Sequence, residues 1–244
     1  MSEYRVGMIA EGPTDIHLIT GVLGKCFPEH SFLLDWLSPS PEELSMQKSK
    51  TGGFGWASVY RTCNELQRHL ALSTCAGGFD FLVIHLDGDV AFHTYASAGI
   101  SGAPGVLPCA ATDDAIPSVC AKLEDLLWQW IGDTNGIRDI PRIVFCIPYI
   151  VTETWAGALV FPESWEAIFE DSSEGIVYEK LLELGRPKKE KGRRLVQRKS
   201  NDKIQKVRNT YRAIAVYITP DTWREVVHRY GQAEKFDRRL RDVM

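Results

Sequence analysis

The 244-residue sequence has no long apolar run, and it has no motif that targets the chain to a membrane. No stretch approaches the roughly 20 apolar residues that a membrane-spanning helix needs. The N-terminus leads directly into a predicted strand, without the pattern of a signal peptide. We therefore expect a cytoplasmic protein that has no membrane partner.

The sequence also lacks the motifs of zinc sites and of nucleotide-binding loops. Its six cysteines include no C-x-x-C pair and have no histidine at zinc-binding spacing, so we expect reduced, mostly buried thiols. The glycine-rich stretch 51–55 lacks the Gly-Lys-Ser/Thr ending of a phosphate-binding loop, and we interpret it as a flexible turn. The sequence therefore contains no nucleotide-binding loop of this type.

What the sequence does contain is an apolar run, residues 79–90 (FDFLVIHLDGDV), that ends in two aspartates separated by one glycine. A short apolar run closed by a turn residue is typical of a strand buried on both faces of a parallel sheet. Ligands bind at the carboxyl ends of such strands, where Asp87 and Asp89 would lie. Carboxylates suit Mg²⁺ or Mn²⁺, so the turn predicts half of a metal site. We interpret His85 as a hydrogen-bonded core histidine.

The N-terminus repeats this pattern. Residues 6–10 form an apolar run that leads into Glu11, a glycine turn and a helix with a Thr or Asp cap. A strand that ends in glutamate, followed by a strand that ends in Asp-x-Asp, resembles the Toprim fold, which topoisomerases, primases and OLD-family (overcoming lysogenization defect) nucleases share. The OLD-type nucleases are the most similar, because they carry a second acid four residues after the glutamate, as Glu11 and Asp15 do here.

Alternating strands and helices predict an α/β fold with a mainly parallel sheet flanked by helices. Further strands are predicted at 31–37 and 142–151, and helices at 14–25, 56–71 and from Asp113 or Asp114 to 131.

Glu153 follows the last strand, and we expect it at the same edge of the sheet. OLD-type enzymes carry a serine two residues before this acid, where this sequence has Val151. The uncharged segment 91–112 is predicted to be a long loop that could cover the site as a lid.

The net charge of −4 hides two regions of opposite charge. Residues 1–185 hold 10 Lys or Arg against 25 Asp or Glu, whereas 186–212 hold 12 against 2. A basic arm of this density is typical of contact with phosphate backbones, although a solvated loop that offsets the acidic body has the same composition. We predict a Toprim-like catalytic domain at 1–160 and a helical C-terminal extension at 161–244, which carries the basic arm 186–212 and a helix at 201–217.

Several carboxylates at one edge of a sheet repel one another unless cations hold them together. We expect two ions, Mg²⁺ or Mn²⁺, about 4 Å apart, one activating the attacking water and the other stabilising the leaving oxygen of a scissile phosphate. Glu11, Asp87 and Asp89 would be the main ligands, and Asp15 and Glu153 would help to bind the second ion.

The resemblance to OLD-type nucleases also implies a catalytic lysine from the C-terminal region. We choose Lys203 over Lys199 and Lys206, because it precedes a predicted apolar helix that would hold it still. Basic side chains can position a nucleic acid through its phosphates without reading its sequence. The residues expected to do so are Arg193, Arg194, Arg198, Lys199 and Lys206.

The leading hypothesis is a metal-dependent endonuclease that hydrolyses phosphodiester bonds of DNA, with RNA as the alternative substrate. The resemblance implies a role in bacterial defence against phage together with a separate ATPase subunit. Two other readings stay open. One is a magnesium-dependent phosphotransferase or phosphatase that uses the same acids. The other is a non-catalytic partner subunit that docks in an assembly and binds nucleic acid; a homo-oligomer is compatible with all three.

Overall fold

The computed structural model describes residues 2–38, 55–72, 78–132, 142–167, 173–185 and 193–244. At its centre is a four-stranded parallel sheet with the strand order β2-β1-β3-β4. The strands are β1 (Ser2–Ile9), β2 (His30–Ser38), β3 (Phe81–His85) and β4 (Arg142–Cys146). The predicted α/β class and the parallel sheet are confirmed.

Helices cover both faces of this sheet. They are α1 (Pro13–Cys26), α2 (Trp56–Leu72), α3 (Ile116–Ile131), α4 (Glu153–Val160), α5 (Glu174–Leu184), α6 (Arg208–Arg212), α7 (Pro220–Arg229) and α8 (Gly231–Val243). His17 of α1 contacts Trp36 on one face, and Trp128 of α3 contacts Phe145 on the other. In the part of the chain that the structure describes, no helix has the length and hydrophobicity to cross a bilayer.

Two helices begin differently from the prediction. Helix α1 starts at Pro13 with Gly12 as its N-cap, so Asp15 lies inside the first turn instead of capping it. Helix α3 has Ala115 as its N-cap. The carboxylate of Asp114 instead accepts hydrogen bonds from the backbone of Ala111 and from Lys122. The predicted aspartate caps are therefore wrong, and Asp15 is left with a carboxylate that can take part in other contacts.

Two predicted elements in the second half of the chain are shorter or of another type. Strand β4 ends at Cys146 instead of 151, because Pro148 has no backbone N–H to continue the ladder. The helix predicted at 201–217 is absent; residues 204–206 instead pair as β6 (Ile204–Lys206) with β5 (Val196–Arg198) in an antiparallel hairpin. Asp202 makes this turn in the left-handed region (φ 63°), which Asp tolerates better than most residues.

The uncharged segment 91–112 packs against α3. The Tyr95 hydroxyl accepts a hydrogen bond from Trp130 Nε1 (2.8 Å) and donates one to Pro104 O (2.8 Å). Gly105 lies so close to Leu126 that an added Cβ would be 2.6 Å from its side chain. All of this segment is described, and none of it lines the acidic cavity discussed below, although His93 Nε2 lies 3.5 Å from Asp89 Oδ2. Its role as a lid stays a prediction.

The C-terminal helices belong to the same hydrophobic core as the sheet. Trp155 of α4 stacks on Phe236 of α8 with ring centroids 6.2 Å apart, and Trp223 of α7 packs edge-on against both. The Tyr4 hydroxyl of β1 donates to the backbone oxygen of Met244 at 2.5 Å. The core is therefore continuous across residue 160, where we predicted a boundary between two regions.

We expect Phe236→Ala to lower the free energy of unfolding by about 3–5 kcal/mol, because the deletion leaves a cavity between two tryptophans. Urea unfolding monitored by tryptophan fluorescence would measure the loss. Val216→Ala is the control, since Val216 is 72% exposed and should change stability by less than about 0.5 kcal/mol. Two separate unfolding transitions in the wild type would show that 1–160 and 161–244 unfold independently.

Candidate metal centre

The carboxyl ends of β1 and β3 open into a cavity of about 410 Å³, and half of its lining residues are charged. Its acids come from three separate parts of the chain, and its two basic residues lie at the end of β6 and the start of α6. The acidic lining residues are Glu11, Asp15, Asp87, Asp89 and Glu174, and the basic ones are Lys206 and Arg208. Glu174 was not anticipated, since nothing in the sequence distinguishes it from other acids at helix starts. The cavity brings together residues up to about 195 positions apart along the chain.

Glu11 joins the two acidic motifs. It follows β1, and its Oε1 accepts a hydrogen bond from the backbone N–H of Asp87 at 2.7 Å. Burial raises the pKa of Glu11 well above its ordinary value, and the charges of Asp87 and Asp89 raise it further. A carboxylate in this position needs a positive charge to stay ionised, and a bound cation would supply one.

The Asp87–Gly88–Asp89 turn is clamped by the backbone that follows β4. Gly88 N–H donates to Pro148 O (3.0 Å), and Asp89 N–H donates to Ile150 O (3.2 Å). A Cβ on Gly88 would lie 2.6 Å from Ile150 N, so only glycine allows this approach. Ile150 itself has φ 60°, a strained value for a β-branched residue. This turn fixes the direction in which both aspartates leave the sheet.

Behind Asp87 lies a buried network that the sequence reasoning missed. Asp87 Oδ1 accepts hydrogen bonds from Thr152 N (2.9 Å) and Thr152 Oγ1 (2.8 Å). Because the only hydroxyl proton of Thr152 goes to Asp87, its oxygen must accept from His85 Nε2, which is 2.6 Å away. Burial opposes ionisation of Asp87, but the hydrogen bond and charge of His85 bring its pKa below the ordinary value.

His85 is fully buried, as expected for a core histidine, but its surroundings are ionic. Burial lowers its pKa, whereas Asp15 and Asp87 raise it, and the net shift is upward. Its Nδ1 has no hydrogen-bond partner in the described part of the chain. Asp15, His85 and Asp87 place one ligand atom each within 4.8 Å of one another, so they are a group that could hold a metal ion.

Glu153 and Lys206 form the third part of the centre. Glu153 is the first residue of α4, seven residues after β4 ends, and it is fully buried. Its Oε1 lies 2.7 Å from Lys206 Nζ and accepts a hydrogen bond from the hydroxyl of Tyr211 (2.9 Å). Lys206 Nζ is also 3.8 Å from Asp15 Oδ1. Burial lowers the pKa of Lys206, but Glu153 and Asp15 raise it well above its ordinary value, so the amine is an ammonium.

The lysine chosen from the sequence lies elsewhere. Lys203 is an exposed residue in the turn between β5 and β6, no helix follows it directly, and it does not line the cavity. Lys206, which we had assigned to the nucleic-acid backbone, lies in the cavity instead. The choice of Lys203 depended on a helix at 201–217 that the structure replaces with β6, and a strand places residues 204 and 206 on the same face.

The other four residues that were expected to contact a nucleic acid do not line the cavity. Arg193 pairs with Glu163 (3.1 Å), and Arg198 pairs with Asp202 (2.9 Å) and with Glu179. Arg194 donates from Nε to the backbone oxygen of Gly185, and Lys199 is exposed. The first part of the arm, 186–192, lies outside the described residues. The ion pairs are on the surface, where solvent screening leaves each with little effect on stability.

Comparisons with protein-family models, with curated proteins and with solved structures gave no match. Function is therefore inferred from the chemistry of the cavity. The donor set is rich in carboxylate oxygens, which hard divalent cations such as Mg²⁺ and Mn²⁺ prefer. The raised pKa values of Glu11 and Asp89, caused first by burial and then by neighbouring carboxylates, fit a group that binds a cation.

We expect Asp89→Asn to stabilise the metal-free protein above about pH 6 but not near pH 4. Burial and Asp87 raise the pKa of Asp89 to about 6, above the value of about 3.9 in an unfolded chain. Ionising it therefore costs stability, and the wild type loses stability as pH rises from about 4 to about 6. Melting temperatures in EDTA would test this, with exposed Asp113→Asn as the control; a pH-independent difference would contradict it.

Thr152→Val should weaken Mn²⁺ binding by about 10–100-fold, because Asp87 loses a donor and His85 Nε2 loses its acceptor. Isothermal titration with Mn²⁺ would measure the change. Thr152→Ser keeps the hydroxyl and should keep most of the affinity. If the serine and valine variants bind equally well, the hydroxyl does not position Asp87.

Proposed function

We propose that this protein is a metal-dependent nuclease that hydrolyses phosphodiester bonds of nucleic acid, DNA in preference to RNA, in the acidic cavity at the carboxyl edge of its sheet. The observation that carries the proposal is the contact between Glu11 and the Asp87 backbone. It brings two acidic motifs, 76 residues apart, into one cavity that also holds a buried lysine ammonium. Carboxylates beside a cationic side chain are what metal-assisted phosphoryl chemistry requires.

Glu11, Asp87 and Asp89 are the residues that would hold Mg²⁺ or Mn²⁺. When bound, such an ion polarises a phosphoryl oxygen and lowers the pKa of a coordinated water. The chain itself supplies the orientation: Thr152 and the Gly88 turn fix the carboxylate of Asp87, and Glu11 is held by the Asp87 N–H. Asp89 remains 30% exposed, so the ligand set is reachable from solvent.

Lys206 supports the same proposal from the opposite wall. Its ammonium is 2.7 Å from Glu153 and lies in the cavity with the three acids. In this position it can hold positive charge close to a phosphate that contacts the metal. We therefore assign to Lys206 the role that the sequence had suggested for Lys203.

The described part of the basic arm is compatible with binding to a nucleic-acid backbone. Arg193 and Arg198 are paired with surface acids, and phosphates can replace such weakly held partners. The resemblance to OLD-type nucleases supports a role in bacterial defence against phage together with a separate ATPase. A magnesium-dependent phosphotransferase and a non-catalytic docking subunit are the competing functions, and the experiment below separates them.

The test is cleavage of supercoiled plasmid, linear duplex, single-stranded DNA and RNA with Mg²⁺ or Mn²⁺. Wild type should cleave at least one DNA substrate, and EDTA should stop it. The double variant Asp87→Asn, Asp89→Asn should fall to background, because both ligands lose their charge. Its matched control is Asp113→Asn, Asp125→Asn, which removes two exposed acids away from the cavity. Cleavage that survives in the cavity variant would refute the assignment of the site.

Lys206→Met should lower the cleavage rate by about 10²–10³-fold, as expected when a positive charge near the reacting phosphate is lost. Lys203→Met should change it little, since Lys203 is exposed and does not line the cavity. If Lys203→Met lowers the cleavage rate more than Lys206→Met does, Lys203 is the catalytic lysine, as predicted from the sequence. A protein that binds the metal and hydrolyses a small phosphoester, but cleaves none of the nucleic acids, would favour a phosphatase.

A further inference from the structure

The position of Lys206 bears on how many metal ions the cavity can hold. Its ammonium lies 2.7 Å from Glu153 Oε1 and 3.8 Å from Asp15 Oδ1. These two carboxylates are the ones from which a second ion was expected to take its ligands. Both are buried, with side-chain exposures of 0% and 2%, whereas Lys206 is 29% exposed along its length. A cation thus already occupies the space between them.

Glu153 has no need of a further partner. Oε1 contacts Lys206 and accepts from the Tyr211 hydroxyl at 2.9 Å, and Oε2 is 3.4 Å from the Tyr178 hydroxyl. A divalent ion bound by this carboxylate would need Mg–O distances of about 2.0–2.1 Å. It would have to displace the ammonium and break these hydrogen bonds. The carboxylates of Glu153 and Asp15 would attract a second metal ion, but the positive charge of the Lys206 ammonium would repel it.

The backbone holds Lys206 in this place. It is the last residue of β6 and pairs with Val196 of β5. The next residue, Val207, donates its N–H to Leu195 O at 2.7 Å. Withdrawing the lysine would leave Glu153 buried without a compensating charge, which is strongly destabilising. The ammonium is therefore a fixed part of the folded centre, unlike the charge of an exposed side chain that changes rotamer freely.

We propose that the cavity binds one divalent cation, through Glu11, Asp87 and Asp89, and that the ammonium of Lys206 takes the place of a second cation between Asp15 and Glu153. This inference rests on the proposed metal-dependent function and departs from the two ions expected from the sequence. Each carboxylate then has one cationic partner: the metal for the outer three and the lysine for the inner two. The lysine would hold its positive charge on the side of the cavity where a second ion would otherwise contact the phosphate.

The number of ions can be counted with Mn²⁺, because aqueous Mn²⁺ gives a sharp six-line electron paramagnetic resonance spectrum that weakens on binding. Titration of the full chain should end at one bound Mn²⁺ per chain. Two bound ions about 4 Å apart would also couple magnetically and change the spectrum of the bound state. Lys206→Met, which keeps a long side chain without charge, should bind a second Mn²⁺. Lys25→Met, at an exposed position in the last turn of α1, should still bind one.

Each result bears on the inference. Two ions in the wild type would overturn it and leave the proposed nuclease intact, whereas no bound ion would overturn both. A folded Lys206→Met variant that still binds one ion would show that the lysine does not exclude the second. Glu153→Gln removes the charge but keeps one oxygen that can accept from the Tyr211 hydroxyl, and it should retain the single ion. Loss of that ion in a folded Glu153→Gln protein would make Glu153 a ligand and refute the inference. If the variants do not fold, the number of ions bound by the wild type still tests the inference.

Discussion

Repulsion between buried carboxylates is the constraint on which the rest of this structure depends. The acids at this edge of the sheet differ in the groups that offset the repulsion. Glu11 accepts a backbone N–H, Asp87 is bound by Thr152 and lies near His85, and Glu153 is neutralised by Lys206. Asp89 has His93 Nε2 at 3.5 Å, and its pKa is raised by burial and by Asp87. The protein therefore provides partners for Glu11, Asp87 and Glu153 from its own groups, and the proposed cation would add positive charge beside Glu11, Asp87 and Asp89.

This constraint also explains why the end of the chain cannot be separated from the sheet. Lys206 reaches Glu153 only because the β5–β6 hairpin returns along α5, and Tyr211 follows it from α6 into the same cluster. The aromatic contacts of Trp155 with α7 and α8 then close the core over α4, whose first residue is Glu153. Helix α4 is therefore held both by the aromatic contacts of Trp155 and by the ion pair between Glu153 and Lys206. A substitution in the C-terminal region can consequently alter the centre without touching a metal ligand.

Much of the fold could be predicted from local patterns. The apolar runs before Glu11 and Asp87 are strands of a parallel sheet, and the helices at 13–26, 56–72 and 116–131 follow their hydrophobic periodicity. Such elements depend on burial alone, and burial is visible as a spacing of apolar residues. The hairpin at 196–206 was missed because Ile204, together with Val207, Tyr211 and Ile214, also fits a helical stripe. Only pairing with a partner strand, which the sequence does not show, decides between the two.

For the centre, the sequence by itself determined which acids could meet, since Glu11, Asp87 and Asp89 follow strands whose carboxyl ends share one edge of a parallel sheet. Tertiary structure alone decided how they are compensated. Thr152 reaches Asp87 because the backbone turns at Ile150, and Lys206 contacts Glu153 because residue 206 ends a strand of the hairpin instead of lying in a helix. The positions of the strands along the chain follow from local hydrophobicity, but the partner of a buried charge depends on contacts between segments that are distant along the chain.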